Sequence, residues 1–297
     1  MPAPVAVLGA SGRTGRRICA ALSGRSAIRA VQHHHDADHH DADHPEADHP
    51  EATEVTSADL NEPATLRRAL AGAAAVYVIT PAFHPHEDIL IANAITAAAQ
   101  AGVERIVLHS VLHPHTPSMP HHLRKEAGER ALRECQVPWT VLQPAMYAQT
   151  VSAALAGNAT EGAVPVPWNL EMPFTPVHLG DVAEAAARVL TEPGHAYATY
   201  ELAGPQVLST RDMIADLAHA TGRQLHPRQA RVTDFSLPGP GATEGFAAMC
   251  AEYDTHGLVG NANVLRWLLE REPLSFAAAC AADLNERGDR HPSASAT

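Results

Sequence analysis

The sequence predicts an α/β chain: a doubly wound parallel sheet carrying a smaller C-terminal α+β cap. Three features carry that expectation. An apolar run, Val5–Leu8, enters a turn with glycines at positions 9, 12 and 15, and an amphipathic helical stretch follows. Strand-like and helix-like stretches then alternate as far as Pro144. Among them, Ala73–Pro81 is a continuous apolar run of the kind that parallel sheets bury on both faces. Such alternation calls for right-handed crossovers between parallel strands.

Composition sets the class of molecule. The chain has 297 residues, enough for a full core, and 45% hydrophobic with 18% charged residues suits a soluble globular protein. A formal net charge of −12, with no block of Lys or Arg, argues against a nucleic-acid partner. No apolar run reaches membrane-spanning length, so no membrane partner is expected. The first strand starts beside Met1, leaving no room for a leader, and the cytoplasm is the expected compartment. Cys19, Cys135, Cys250 and Cys280 lack CxxC spacing and imply neither a disulfide framework nor a zinc knuckle. The oligomeric state is left open, a homodimer being one option.

The three glycines have separate tasks. Gly9 lets the chain turn sharply, Gly12 lets a phosphate approach the backbone, and Gly15 packs the helix on the strand. Ser11, Arg13 and Thr14 share that turn, where the first helical N–H groups and the positive end of the helix dipole face a phosphate. The helix is expected over Arg16–Leu22 and a second strand over Ala27–Val31. In such a fold the end of the second strand meets an adenosine ribose. A carboxylate there suits NAD(H), and basic residues suit the 2′-phosphate of NADP(H). Here Gln32 and His33 follow, no acid precedes Asp36, and Arg13 offers a second phosphate partner, which favours NADP(H) over NAD(H). Residues 33–51 form a run of histidine and acid that reads as a disordered, solvated loop. Its imidazoles and carboxylates would capture nickel, zinc or copper, but a floppy repeat lacks fixed geometry, so no dedicated metal site is expected.

Order returns with a strand at Glu54–Leu60 and a helix at Glu62–Leu70, Pro63 lying in its first turn. The apolar strand follows, then a helix over His86–Ala101 closed by Gly102. A strand at Arg105–Ser110, a helix at Pro120–Cys135 and a strand at Trp139–Pro144 complete a dinucleotide-binding domain of residues 1–150. Residues 151–285 are less regular and read as a cap over the substrate. Its helices are expected at Asp181–Leu190, at Thr210–Thr221 behind a Ser209 cap, from about Thr243, and at Val264–Leu269. Residues 177–190 are expected to return to the main sheet, and 286–297 to form a disordered tail.

The turn Gly9-Ala10-Ser11-Gly12-Arg13-Thr14-Gly15, Ala58-Asp59-Leu60, the strand Val76–Thr80 and Leu142–Tyr147 together resemble the NmrA-like branch of the atypical short-chain dehydrogenases. The likeness continues in His178–Ala183, Tyr200–Pro205 and His256–Asn261 and covers nearly the whole chain except the histidine run and the tail. It implies a Rossmann domain with Asp59 and Leu60 beside the adenine, and Thr80, Pro81 and Pro144 near the ribose and nicotinamide. The family mixes reductases with redox-sensing regulators, and fold alone does not choose between them.

Short-chain dehydrogenases generally pair a tyrosine with a lysine four residues on, which share one helix face. The lysine holds the nicotinamide ribose and lowers the tyrosine's pKa. In this chain His121 stands in the tyrosine's place, with Lys125 kept as the ribose ligand. A nearby ammonium keeps such an imidazole neutral at pH 7 and makes it a reluctant acid. That favours an acceptor, quinone or conjugated enone, whose delocalised reduced anion solvent can protonate. Ser110, at the end of its strand, is a further contact for the reacting oxygen, and Tyr147 is the best alternative proton donor. His109, His113, His115 and His122 crowd the same region. The intervening Pro114, Pro117 and Pro120 argue against helical metal ligation, which leaves structural or substrate-contacting roles. Tyr253 and His256 in the cap read as packing residues. The expectation is an NADP(H)-dependent oxidoreductase acting on an electron-poor small molecule. Two alternatives stay open: a non-catalytic NADP(H)-sensing regulator, and a cyclase or isomerase using His109, His113 or His121 as base.

Overall fold

Side-chain alternation along the central strands explains the layering. In β1 (Val5–Leu8), Val5 and Val7 join the apolar cluster on one face, while Ala6 and Leu8 join the cluster on the other. The same division recurs in the next strands. The computed structural model describes residues 2–33, 49–157, 159–237 and 239–289. Its strands continue with β2 (Ile28–His33), β3 (Glu54–Ala58), β4 (Ala75–Val78), β5 (Arg105–His109), β6 (Trp139–Pro144), β7 (Ala163–Val166), β8 (Ala198–Leu202) and β9 (His226–Gln229). The main sheet has the order β3-β2-β1-β4-β5-β6-β8, with every pairing parallel. Its strand order reverses between β1 and β4, so a crevice opens beyond the carboxyl ends of those strands.

Helices cover both faces. α1 (Arg13–Leu22) buries Ile18, Cys19 and Leu22 on one face, and α2 (Pro63–Leu70), α3 (Glu87–Ala101) and α4 (Pro120–Glu134) pack on the other. α3 and α4 approach closely because Gly128 has no side chain: a Cβ there would lie 2.7 Å from Ile91. The remaining helices are α5 (Ala148–Gly157), α6 (Leu179–Thr191), α7 (Thr210–Thr221), α8 (Ala242–His256), α9 (Asn263–Leu269) and α10 (Phe276–Asp289). α6 returns to pack against α1 and the sheet. β7 and β9 form a separate two-stranded parallel sheet in the C-terminal half.

Several boundaries differ from the sequence reading. α1 starts at Arg13 rather than Arg16, because Gly12 is itself the N-cap and the glycine turn runs directly into the helix. Only Ala75–Val78 of the apolar run pairs in the sheet. β8 adds a seventh strand from the second half of the chain. His33 closes β2, and residues 49–52 turn into β3. The rest of the histidine-rich run, residues 34–48, lies outside the described residues, as do 290–297. α10 extends through Asp289, into the stretch expected as a disordered tail. No helix among the described residues is long and apolar enough to cross a membrane.

Candidate active site

Two hollows lie along the carboxyl ends of the strands and share Ile79 and Thr80 in their walls. The first, about 470 Å³, lies over the glycine turn and the ends of β2 and β3. Gly9, Ser11, Gly12, Gln32, His33, Asp59, Leu60 and Pro81 line it. Gly9 takes a left-handed φ of +73° to make the turn. Gly12 has φ −70°, and a Cβ there would meet only the Gly9 oxygen at 3.4 Å. The hollow therefore comes directly against bare backbone. No side chain caps α1, and its first turn holds no acid. Bare backbone at an uncapped helix N-terminus is the arrangement that accepts a pyrophosphate, so these residues fit a dinucleotide.

Gly15 acts differently. A Cβ there would sit 2.2 Å from the Gly9 oxygen and 2.7 Å from the Ala10 Cα, so it packs α1 onto the turn and does not line the hollow. Arg13 is not among the lining residues at the ribose end either. Its guanidinium donates to Thr150 Oγ1 at 3.0 Å, on α5. Of the two phosphate partners expected from sequence, His33 alone lines the first hollow.

The second hollow, about 490 Å³, has apolar and aromatic walls that include Phe83, Met146, Trp168, Phe235, Phe246 and Met249. Thr14 and Pro144 line it, with Thr80, His109, Ser110, His121, Lys125 and Tyr147 as polar members. Tyr253 also borders it, packed edge-on against Trp168 and Phe174. His256 is exposed and pairs with Glu252.

Lys125 is buried against Glu87, with Nζ 2.9 Å from Oε1. It also donates to Thr80 Oγ1 at 3.0 Å and to the His109 carbonyl at 2.9 Å. These partners match the three donors of an ammonium. Thr80 in turn donates to Glu87 at 2.7 Å. In this arrangement Lys125 braces Thr80 and the end of β5, and Glu87 supplies the counter-charge that a buried ammonium requires. Ser110 donates to Glu129 Oε1 at 2.5 Å, and Gln143 Nε2 donates to the same oxygen at 2.8 Å. The Ser110 hydroxyl hydrogen is thus committed, and what it offers the cavity is an acceptor.

His109 stands between two tyrosines. Its Nδ1 lies 2.6 Å from Tyr77 Oη and its Nε2 lies 2.6 Å from Tyr147 Oη. Register explains the first contact: Tyr77 pairs with Val107 across β4 and β5, and His109 is the next residue on that face. Burial, with Lys125 adding to it, lowers the His109 pKa from 6.5 to about 3. Burial pushes both tyrosines up, so their hydroxyls stay protonated. A neutral imidazole has one N–H, so one tyrosine donates to the ring and the other accepts from it.

The other histidines disperse. His121 packs at a tilt against Phe83 at 4.6 Å and edge-on against His122 at 4.5 Å between ring centres. Burial first, then His122, Arg124 and Lys125, bring its pKa to about 3. His122 Nδ1 lies 3.0 Å from the His113 carbonyl, and burial brings its pKa to about 4. His113 has φ +55° and does not line the cavity, and His115 is exposed. His113 meets His122 through its backbone carbonyl and is not among the residues that line the second hollow.

These three buried rings predict an acid response. An unfolded chain protonates them near pH 6.5, whereas the folded chain resists until about pH 3 or 4. Their contribution to stability is complete above pH 6.5 and is lost as pH falls towards the folded values, because the unfolded state binds more protons in that window. Each ring steepens the fall by up to about 1.4 kcal/mol per pH unit. Urea midpoints measured between pH 7 and 4.5 check this, and His121→Phe is expected to flatten the slope.

Sequence reasoning missed Tyr77, Glu87 and Glu129. Glu87 reads as an ordinary first-turn acid of a helix, and Glu129 as a solvated charge four residues after Lys125. Tyr77 did carry a signal, since a hydroxyl inside a strand buried on both faces must find a partner.

Comparison with known proteins agrees with this geometry. Residues 9–193 match the model of the NAD(P)H-binding family. NAD(P)H azoreductase of Xenophilus azovorans is 32% identical over 57% of this chain and 59% of its own. The (4-alkanoyl-5-oxo-2,5-dihydrofuran-3-yl)methyl phosphate reductase of Streptomyces griseus is 29% identical over 74% of this chain and 75% of its own. The first of these matches thus spans less than two thirds of the relative's length. Among solved structures, an NADPH-dependent quinone oxidoreductase from Escherichia coli, complexed with NADPH, superposes with a TM-score of 0.77 at 23% identity. That superposition covers 95% of this chain and 100% of the other. Nmra, a negative transcriptional regulator, shares the fold with a TM-score of 0.75 at 16% identity over 98% and 99% of the two chains. The chain belongs to the NAD(P)H-binding family and has the Rossmann fold expected from its NmrA-like motifs.

Proposed function

We propose that this protein is an NADP(H)-dependent reductase of flat, electron-poor small molecules such as quinones, azo compounds or conjugated enones. One observation carries the reading: an apolar, aromatic-walled cavity adjoins the dinucleotide cleft, the two sharing Ile79 and Thr80 in their walls. A planar acceptor gains most from such walls. The named activities of the azoreductase and of the dihydrofuranone reductase, both on conjugated acceptors, support the same class. Gln32 and His33 at the ribose end favour NADP(H) over NAD(H).

The dinucleotide supplies a hydride when bound. Gly9, Ser11, Gly12 and the first turn of α1 would hold its phosphates, and Asp59, Leu60 and Pro81 its adenosine half. Thr80, braced by Lys125 and Glu87, and Pro144 would border its nicotinamide. His121 takes the place of the usual tyrosine before Lys125, and its neutral ring offers a hydrogen bond rather than an acidic proton. Tyr147 Oη offers the reduced acceptor a hydrogen bond, and solvent supplies the proton to its delocalised anion. His109, fixed by Tyr77, keeps that hydroxyl in place.

The test is NADPH oxidation with a panel of quinones, azo dyes and enones, for the native chain and for Tyr147→Phe. Turnover is expected, and Tyr147→Phe is expected to lower kcat by about 10²-fold, the usual worth of one hydrogen-bond donor to a developing oxyanion. NADPH affinity should be unchanged. NADPH binding without oxidation by any member of the panel would overturn the reductase and favour a sensing regulator.

A further inference from the structure

A second cluster of reactive side chains lies away from the cleft. Cys19 on α1, His49 and Glu51 each bring one ligand atom to within 4.8 Å of the others. Among the described residues no other such group of three is found. Cys19 is fully buried and His49 is 6% exposed. Both ring nitrogens of His49 are buried without a hydrogen-bond partner. A neutral imidazole brings a donor and an acceptor, and burying both unpaired is costly unless another ligand satisfies them.

Local structure builds this cluster. The Ala52 amide donates to the His49 carbonyl at 2.9 Å, closing a tight turn around Pro50 that holds His49 and Glu51 two residues apart. Thr53 then anchors the turn to the first residue of β2: its amide donates to the Ile28 carbonyl, and the Ile28 amide donates to Thr53 Oγ1. The turn thus sits at the amino end of β2, whereas the dinucleotide cleft opens at its carboxyl end, by Gln32 and His33.

We propose that Cys19, His49 and Glu51 bind one zinc-class divalent ion as a structural clamp. A thiolate, an imidazole and a carboxylate are the donor types zinc takes, with a water completing a four-coordinate site. Zinc–sulfur bonds of about 2.3 Å and zinc–nitrogen bonds of about 2.0 Å put tetrahedral ligand atoms roughly 3.5 Å apart, within reach of small rotamer adjustments here. On binding, the Cys19 thiol proton leaves to solvent and its sulfur takes the ion. The clamp ties the chain entering β3 to the back of α1. It has no part in hydride transfer.

Cobalt(II) titration of the metal-stripped full chain tests this, because a thiolate–cobalt charge-transfer band requires a cysteine. The histidine-rich run of residues 33–48, which contains no cysteine, cannot produce it. The expected result is a near-ultraviolet charge-transfer band that saturates at one ion per chain. Zinc at about a hundredfold excess over its Kd should raise Tm by roughly 4 °C. Cys19→Ala should abolish both the band and the zinc-dependent shift. Should Cys19→Ala fail to fold, His49→Gln, in the turn, should weaken both readouts at least tenfold. Absence of the band in the native chain, or a Tm shift that survives a folded Cys19→Ala or His49→Gln variant, overturns the clamp.

Discussion

Substitution of Glu87 by glutamine is expected to cost about 3 kcal/mol or more, the largest stability loss anticipated from a single side chain here. The change keeps the volume and removes only the charge. Lys125 would then keep an ammonium in a site where its side chain is only 10% exposed, with Thr80 and a backbone carbonyl as its remaining partners. Leaving one member of a buried pair is far more costly than removing both. The double substitution Glu87→Leu with Lys125→Met is therefore expected to recover much of the loss. Urea unfolding of the two single variants and the double closes the cycle. A single-variant loss below about 1 kcal/mol would mean that the pair is solvated, and the brace on Thr80 would have no basis.

Gly15→Ala is expected to cost about 3 kcal/mol and to weaken NADPH binding at least tenfold. The added carbon would overlap the Gly9 oxygen and the Ala10 Cα, both of them backbone atoms that no rotamer change can move. Overpacking of this kind is usually worth 1–3 kcal/mol, and about the upper figure applies when backbone must shift. Relief requires α1 to slide away from the turn, and that displaces the N–H groups offered to the phosphate. Urea midpoints and an NADPH titration measure the two effects together. Unchanged values in both would show that α1 does not pack on the turn as described.

The parts of this molecule written in local periodicity were legible in the sequence. The strand Trp139–Pro144 and the helix Thr210–Thr221 appear with the bounds expected, and the helix carries a reciprocal Ser209–Asp212 capping box. The glycine turn was legible because Gly9 and Gly15 answer steric demands that no other residue meets, and Gly12 leaves the backbone bare. β8 was not, since Ala198–Leu202 is an edge strand buried fully only at Leu202 and shows no continuous apolar run. The polar centre was legible in part. His109, Ser110, Lys125 and Tyr147 were marked by their places at strand ends and on one helix. Their partners Glu87 and Glu129 were not, because the close approach of α3 and α4 at Gly128 is a tertiary event. That approach turns an ordinary first-turn acid into the counter-charge of a buried lysine. The contact of Arg13 with Thr150 was not legible for a related reason: position in the turn does not say which way a long side chain leaves it.

Comparing the native chain with Gly12→Asp shows whether the glycine turn holds the phosphates of NADP(H). At φ −70°, and with an added Cβ meeting only the Gly9 oxygen at 3.4 Å, residue 12 accepts a side chain with little strain. The variant should therefore fold normally while placing a carboxylate where the phosphates must lie. NADPH titration followed by quenching of tryptophan fluorescence is expected to give saturable binding to the native chain and none to the variant, at equal urea midpoints. Equal NADPH affinity in both proteins would contradict the account and move the dinucleotide away from this turn.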